Sequence, residues 1–265
     1  MDLGLKGRVA VVTGGSRGIG YAAAQQFLLE GAKVAICARG EQALKSAAEA
    51  LSELGDVYYE SVDLSDAGQV YAFAKNVFDH FGALDCWVNN AGAVGYKKGV
   101  EYDEEEIDFM VGINFKAIIY GCQAAFRYMQ NTGGAIVNVS SLAARCASVG
   151  RSTLYGPLKS AINNLTNMFA GEYCAHNVRV TGIMPGLTGT DMTEQEIGAK
   201  QAQKLKQQNL LHRMADPSEQ ARPIVFLASS AASYMTATTI EVTAGWSATL
   251  NPTYAWDKYG AHEAE

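Results

Sequence analysis

The sequence has few cysteines, and their spacing excludes the usual structural uses. The five lie far apart, at Cys37, Cys86, Cys122, Cys146 and Cys174, and no CxxC pair occurs. The four histidines do not cluster with them. A disulfide framework or a structural zinc site is therefore not expected, and no metal site is predicted.

Proline, charge and long apolar runs are also scarce. The 265 residues include 5 prolines, 18% are charged, and the net charge is −6. Hydrophobic residues reach 48%, which excludes a disordered chain. The acidic balance disfavours a nucleic-acid partner. A run of about 18 apolar residues is missing, and the N-terminus does not resemble a signal peptide, so we expect a soluble, cytoplasmic protein without a membrane partner.

Short β-branched runs alternate regularly with segments of helical periodicity. Such alternation predicts crossover units and a parallel sheet. We therefore predict an α/β fold in one domain, residues 1–265, with a doubly wound, mostly parallel seven-stranded sheet flanked by helices. The strands are predicted at Arg8–Thr13, Lys33–Ala38, Val57–Val62, Asp85–Val88, Ala135–Val139, Val178–Ile183 and Thr239–Val242.

The helices between these strands differ in length. They are predicted at Ile19–Glu30, Glu41–Leu54, Ala67–Phe81, about Asp103–Met129, about Thr153–Tyr173, about Glu194–Gln208 and near Ser218–Leu227. After Gly186 the alternation weakens, which indicates a lid over about residues 187–214. An aromatic tail follows over about residues 245–265, and its aromatic side chains need a core or a neighbouring subunit to cover them.

A glycine-rich turn, TGGSRGIG at residues 13–20, joins the first strand to the first helix. Gly14, Gly18 and Gly20 permit a tight turn, in which backbone N–H groups approach a pyrophosphate at the helix N-terminus. Glycine also serves for helix–strand packing, so the turn alone is weak support. Its place at the first strand–helix junction favours phosphate binding.

The second strand ends in Cys37-Ala38-Arg39, without the carboxylate that usually holds a free ribose 2′-hydroxyl. Arg39 and Arg17 could instead bind a 2′-phosphate, because a guanidinium binds phosphate through two parallel hydrogen bonds. Both could also be ordinary solvated arginines. Since they flank one predicted pocket, NADP(H) is favoured over NAD(H).

Tyr155 and Lys159 lie four residues apart, on one face of a predicted helix. A neighbouring ammonium stabilises a phenolate, which makes tyrosine useful as an acid or base near neutral pH. Tyr71/Lys75 and Tyr254/Lys258 have the same spacing. Only Tyr155 starts a helix soon after a strand that ends in Ser140-Ser141, and this context selects it.

With these motifs in order, the chain resembles the short-chain dehydrogenase/reductase family, in its single-domain Rossmann-fold branch, from about residue 5 to residue 245. Beside the glycine turn, the matching elements are Asp63-Leu64 after the third strand, Asn89-Asn90-Ala91-Gly92 after the fourth, Asn114, the trio Ser141, Tyr155 and Lys159, and Pro185-Gly186 with Thr190. The cofactor-binding residues implied are Gly14, Ser16, Arg17, Gly18, Ile19, Gly20, Arg39, Asp63, Leu64, Asn90, Ala91, Gly92, Tyr155, Lys159, Pro185, Gly186, Thr188 and Thr190.

The resemblance also implies a mechanism. Tyr155 would donate a proton to a carbonyl oxygen as hydride arrives from the nicotinamide, and Ser141 would hold that oxygen. Lys159 would stabilise the phenolate and hold the nicotinamide ribose. Asn114 would anchor a water that links Lys159 to solvent. The family implies a homo-oligomer, a dimer or tetramer, formed through the helices that carry Asn114 and Tyr155.

Three details depart from the family pattern. Ser141 lies 14 residues before Tyr155 instead of the common 13, so Ser140, Ser148 and Ser152 remain rivals. Pro157 is compatible with the predicted helix only if it lies in the first helical turn. The last strand ends Thr243-Ala244-Gly245, where relatives often carry Asp-Gly-Gly.

The substrate is the least determined part. The lid and tail bring apolar side chains towards the site, which favours a hydrophobic, hydroxysteroid-like alcohol or ketone. These side chains are Met184, Leu187, Met192, Met214 and Trp246. An acyl-carrier-protein reductase would place arginines near Thr132 and His176, which are not reliably cationic. That reductase and a polyol dehydrogenase remain alternatives, as does a catalytically silent dinucleotide sensor or scaffold.

Overall fold

The computed structural model describes residues 2–95, 99, 101–147, 153–191, 193 and 199–260. Within these residues seven strands form one sheet, and each neighbouring pair is parallel. The strands are β1 Val9–Thr13, β2 Lys33–Ala38, β3 Val57–Ser61, β4 Cys86–Asn89, β5 Gly134–Val139, β6 Val178–Pro185 and β7 Thr238–Val242. Their order across the sheet is β3-β2-β1-β4-β5-β6-β7.

The strand order reverses direction between β1 and β4, as in a doubly wound sheet. The predicted fold class is therefore confirmed, and the sheet is parallel at every pairing. Ligands in such sheets bind outside the carboxyl ends of the strands, next to this reversal. The glycine turn follows β1, and the Asn-Asn-Ala-Gly segment follows β4, so both lie at that point.

Helices cover both faces of the sheet. They are α1 Gly18–Leu29, α2 Glu41–Ser52, α3 Ala67–Phe81, α4 Glu104–Val111, α5 Ala117–Met129, α6 Tyr155–Tyr173, α7 Ala199–Lys206, α8 Pro217–Ala228 and α9 Tyr254–Tyr259. Helices α3, α5 and α6 pack against one face through the buried side chains of Phe73, Ile118 and Ile162. Helices α1, α2 and α8 pack against the other face through Phe27, Leu44 and Ile224.

The helix predicted over 103–129 is interrupted by one wider turn. Residues Gly112–Lys116, between α4 and α5, form a π-helical turn, which is frequent at functional sites. By length and composition, Glu104–Met129 could cross a membrane, but 56% of its most apolar window is buried inside the fold. In this structure the segment packs in the hydrophobic core on the face of the sheet that α3 and α6 also cover.

Candidate active site

The glycine turn depends on backbone that other residues would strain. Gly14 and Gly18 have φ angles of 68° and 57°, in the left-handed region. A Cβ atom on Gly20 would lie 2.2 Å from the Gly14 carbonyl oxygen. Because α1 begins at Gly18 without a side-chain cap, its first N–H groups are left to bind an anion.

Thr13 and Asn90 brace this turn from β1 and β4. The Asn90 side-chain amide donates to the carbonyl oxygens of Thr13, at 2.9 Å, and Gly14, at 3.3 Å. The Thr13 hydroxyl donates to the Val88 carbonyl and accepts from the N–H groups of Asn90 and Ala91. These bonds hold the ends of β1 and β4 together, which fixes the floor of the cleft. Thr13 is the first residue of the glycine-rich turn but is not among the predicted site residues.

Tyr155 and Lys159 lie on the first turns of α6. The Lys159 ammonium is 5.7 Å from the centre of the Tyr155 ring. Lys159 is 2% exposed, and its Nζ donates to the Val139 carbonyl oxygen at 2.9 Å. Burial lowers the pKa of Lys159 to about 8. The lysine is therefore held beside the tyrosine, at the end of β5, in a low-dielectric setting that strengthens its charge interactions.

Pro157 is the third residue of α6 and so falls in the first helical turn, as its tolerance requires. The N–H group that proline lacks would find no partner in that turn in any case. The helix therefore keeps its register from Tyr155 to Lys159.

Asn114 lies in the π-helical turn and is fully buried. Its side-chain amide donates to the carbonyl oxygens of Ala93, at 2.9 Å, and Met110, at 3.2 Å. Its Oδ1 accepts from the Ala93 N–H at 3.2 Å. A Cβ atom on Gly92 would lie 2.9 Å from that Oδ1 and 3.3 Å from the Lys159 Nζ. Asn114 thus fixes the segment after β4 against Lys159, while the proposed water relay stays a prediction.

The two adjacent serines after β5 have different surroundings. The Ser140 hydroxyl is buried and donates to the Lys159 carbonyl at 2.9 Å, so it joins β5 to α6. Ser141 is partly exposed, and its Oγ accepts from the Ala143 N–H at 3.2 Å. Both serines line the cleft, but the Ser140 hydroxyl proton is already given to the Lys159 carbonyl, so Ser141 is the better placed to meet a ligand. The rivals Ser148 and Ser152 lie outside the described residues.

One cleft of about 970 Å³ runs along the carboxyl ends of the strands. Its size suits a bound small molecule. Most of the predicted site residues line it, from the glycine turn to Thr190. They are Gly14, Ser16, Arg17, Gly18, Ile19, Arg39, Leu64, Asn90, Ala91, Gly92, Ser141, Tyr155, Lys159, Pro185, Gly186, Thr188 and Thr190.

Gly20, Asp63 and Asn114 lie behind this lining. Gly20 packs against the turn, and Asn114 holds the Ala93 backbone. The Asp63 carboxylate accepts from the Ser65 hydroxyl and N–H, at 2.7 and 2.9 Å, which lowers the pKa of Asp63. Its predicted contact with the cofactor stays a prediction.

Two arginines supply positive charge along the cleft. Arg39 lies with its guanidinium 5.4 Å from the centre of the Phe109 ring, a cation–π arrangement that restrains it at the rim. Arg17 lies 3.8 Å from Asp191, in the segment predicted to be a lid. A Cβ atom on Gly18 would lie 3.3 Å from Thr190, so this segment contacts the glycine turn.

Part of the predicted apolar wall lines the cleft. Leu187 and Trp246 do so, together with Leu142, Ala147 and Leu205. Met184 is buried in β6 instead, and Met214 lies outside the lining. Met192 is outside the described residues. Arg145 and Cys146, which are not among the predicted site residues, contact Trp246 and Ser247.

The glycine cradle, the cleft volume and the adjacent cations fit a dinucleotide. A structure of a short-chain type dehydrogenase/reductase from Mycobacterium marinum superposes with a TM-score of 0.89, at 29% identity, over 94% of this chain and 98% of that one. A family model described as Enoyl-(Acyl carrier protein) reductase matches residues 14–247. The chain belongs to the short-chain dehydrogenase/reductase family.

Curated relatives of the family carry different substrate names. A 3-oxoacyl-(acyl-carrier-protein) reductase from Chlamydia pneumoniae is 36% identical over 92% of this chain and 99% of its own length. A 3alpha-hydroxysteroid dehydrogenase from Mediterraneibacter gnavus is 34% identical over 91% and 98%. Short-chain dehydrogenases/reductases are oxidoreductases that bind nicotinamide dinucleotides and act on small molecules. The comparisons therefore show an oxidoreductase family and leave the substrate open.

Proposed function

We propose that this short-chain dehydrogenase/reductase is an NADP(H)-dependent enzyme that interconverts a hydrophobic, hydroxysteroid-like ketone and its secondary alcohol. The observation that carries the proposal is the common cleft: the Tyr155–Lys159 pair and Ser141 face the same 970 Å³ space as the glycine turn. A proton donor and a phosphate cradle in one cleft are what hydride transfer to a carbonyl needs.

The chemistry divides between cofactor and chain. The nicotinamide, when bound, supplies or accepts the hydride. Tyr155 donates its hydroxyl proton to the carbonyl oxygen in reduction and takes it back in oxidation. The Ser141 hydroxyl donates a hydrogen bond to that oxygen and so fixes its position. The Lys159 ammonium, 5.7 Å from the tyrosine ring, stabilises the negative charge that develops on the phenol oxygen.

Arg39 and Arg17 support NADP(H) over NAD(H). Both line the cleft. Arg39 occupies the position after the second strand where proteins that bind NAD usually carry an acidic residue. A guanidinium attracts a 2′-phosphate, whereas a carboxylate would repel it. Pro185, Gly186, Thr188 and Thr190 line the same cleft and complete the proposed contacts.

Uncharged side chains support a hydrophobic substrate. Leu142, Ala147, Leu187, Leu205 and Trp246 line the cleft beside Ser141 and Tyr155. The Mediterraneibacter gnavus relative named for a 3alpha-hydroxysteroid adds weight to this choice. An acyl-thioester substrate is the second candidate, because the Chlamydia pneumoniae relative is at least as similar.

We include a cytoplasmic homo-oligomer, a dimer or tetramer, in this proposal. Met168 on α6 is 55% exposed, and Ile107 and Phe109 on α4 are 40% and 38% exposed. Apolar side chains near the helices that carry Asn114 and Tyr155 suit a subunit contact. Light scattering after gel filtration should give two or four times the chain mass of 28.3 kDa.

A spectrophotometric screen tests the activity. NADPH and NADH are offered with panels of ketosteroids, acyl thioesters, ketoses and quinones, and loss of the reduced nicotinamide is followed. We expect NADPH oxidation to be fastest with ketosteroids. Turnover confined to acyl thioesters would select the second candidate. Cofactor binding without turnover in any panel would instead identify a dinucleotide sensor or scaffold.

A further inference from the structure

Two segments far apart in the chain meet at the substrate end of the cleft. The serine loop, residues 141–147, follows β5 and carries Ser141. The tryptophan segment, residues 243–248, follows β7 and carries Trp246, which is buried to 9% exposure. Residues of both line the cleft: Ser141, Leu142, Ala143, Cys146 and Ala147 from the first, Trp246 and Ser247 from the second.

Arg145 connects these segments through both arms of its guanidinium. Nη1 donates to the two carboxylate oxygens of Glu241, at 2.6 Å each. Nη2 donates to the main-chain carbonyl of Trp246 at 2.8 Å. One residue further, the Cys146 thiol lies 3.6 Å from the Ser247 hydroxyl, which adds a second contact between the same segments.

The partners of Arg145 are themselves fixed to the floor of the cleft. Glu241 lies on β7 and pairs in register with Met184 on β6, next to Pro185 and Gly186. The Gly186 N–H donates to the Val242 carbonyl at 3.0 Å. Arg145 therefore transmits the position of β6 and β7 to the loop that carries Ser141.

The Arg145–Glu241 ion pair adds little to the stability of the fold. The Arg145 side chain is 40% exposed and that of Glu241 is 35% exposed. Ion pairs this exposed contribute little to folding stability. The main-chain contact is different, because it fixes where the backbone of a cleft-lining residue lies.

We propose that Arg145 is a positioning residue, which sets the width of the substrate end by joining the serine loop to the tryptophan segment. The proposal rests on the proposed function for its kinetic consequence, although its structural half stands independently. Arg145 contacts neither the glycine turn nor Arg39 in the contacts described for it, so cofactor affinity should not depend on it.

Amide hydrogen–deuterium exchange of the full chain tests the connection without any substrate. In Arg145→Ala, amides of both segments should exchange about tenfold faster, because the Arg145 contact between them is lost and only the Cys146–Ser247 contact remains. Amides of residues 13–20 should be unchanged. Acceleration of the serine loop alone, or of neither segment, would overturn the proposal.

Kinetics test the positioning role, with androstane-3,17-dione as the probe and NADPH as the reductant. Arg145→Ala should raise KM about tenfold and change kcat less than threefold, with an unchanged Kd for NADPH. Arg145→Lys has one nitrogen and can satisfy only one of the two partners, so its KM should be intermediate. Glu241→Gln keeps an acceptor, and its KM should rise less than that of Arg145→Ala.

Arg8→Ala is the matched control. It breaks an ion pair of the same 2.6 Å length, Arg8–Asp85, at the opposite end of the strands. It should change neither KM nor exchange in the two segments. An unchanged KM in Arg145→Ala would contradict the positioning role. If no wild-type turnover is found with any ketone, the proposed function fails, while the exchange result still decides whether Arg145 joins the segments.

Discussion

Lys159 combines a charge with nearly complete burial. It is 2% exposed, and burial lowers its pKa from 10.5 to about 8. The folded protein therefore binds a proton at this site less readily than the unfolded chain does. This unfavourable burial is the cost of keeping an ammonium beside Tyr155, a compromise that is common where function requires a charge.

The cost of Lys159 should show as a pH dependence of stability. This destabilisation is fully present below about pH 8 and disappears as the pH rises towards 10.5. Between these values the unfolded chain binds more protons than the folded protein, so the free energy of unfolding rises with pH. The free energy of unfolding of Tyr155→Phe, minus that of Tyr155→Phe/Lys159→Met, should rise by about 2 to 3 kcal/mol from pH 7 to pH 10. Urea unfolding at several pH values measures it. A flat difference would show that burial does not perturb this lysine.

Arg39 should discriminate between the cofactors. Arg39→Asp places a carboxylate where the 2′-phosphate is proposed to bind, so affinity for NADPH should fall about 100-fold and that for NADH less than threefold. Fluorescence titration of both cofactors measures the two affinities. Arg222→Asp, on α8 and away from the cleft lining, is the control. Equal losses for both cofactors would exclude Arg39 as the discriminating contact.

Sequence reasoning located residues that line the cleft better than residues that support it. Tyr155 and Lys159 were selected by spacing and context, and both line the cleft. The choice between Ser140 and Ser141 stayed open, because it depends on which hydroxyl bonds the Lys159 carbonyl. Spacing along the chain carries no information about that contact.

At the scale of elements, α5 approaches β4 unusually closely at Gly121. A Cβ atom there would lie 2.0 Å from the Asn89 Oδ1 and 2.8 Å from the Trp87 Nε1. Glycine is thus required by packing and not by backbone conformation. By contrast, a Cβ atom on Gly171, in α6, would meet nothing within 4 Å.

The two glycines should respond oppositely to the same change. Gly121→Ala should lower the free energy of unfolding by about 2 to 3 kcal/mol, because α5 must move from the sheet. Gly171→Ala should raise it by about 0.5 to 1 kcal/mol, because alanine is the better helix former. Urea unfolding compares both with the wild type. A neutral Gly121→Ala would contradict the packing described between α5 and β4.

Element positions followed from periodicity, but one helix did not keep its regular turn. The pattern predicted one helix over 103–129, whereas Gly112–Lys116 forms a π-helical turn. There the Asn114 side chain donates to the Met110 carbonyl, one turn earlier, and to Ala93. A side chain that enters the hydrogen-bond ladder distorts it, and Ala93 is too distant in sequence for periodicity to reveal.

At the scale of the molecule, a buried chain of polar groups crosses from the sheet to α6. The Trp87 indole donates to Asn89, whose amide donates to the Asn138 Oδ1 at 2.9 Å. The Asn138 amide then donates to the Thr166 hydroxyl at 3.1 Å. This network fixes α6, and with it Tyr155, relative to β4 and β5.

Asn138→Leu should lower the free energy of unfolding by about 2 kcal/mol. The change removes the acceptor of the Asn89 amide and the donor to Thr166, which leaves buried polar groups without those bonds. Thermal and urea unfolding measure the loss. Asn167→Leu, exposed on α6, should stay within about 0.5 kcal/mol of the wild type. Similar losses in both would mean that the network contributes nothing specific.

The global arrangement was predictable because seven strands joined by crossover connections allow few topologies. Individual long-range contacts were not. Arg145 and Glu241 lie 96 residues apart, and neither belongs to a motif. Such contacts depend on the conformations of the loops that follow the strands, and the local sequence does not determine those conformations.

The most direct test of the account is the turnover of Tyr155→Phe with NADPH and the best ketone from the screen. Removing one hydroxyl should lower kcat about 1000-fold and leave the Kd for NADPH within twofold, because the variant keeps the cleft and loses the proposed proton donor. Tyr71→Phe, from a tyrosine–lysine pair of the same spacing, should keep wild-type kcat. A kcat for Tyr155→Phe within threefold of the wild type would contradict the account.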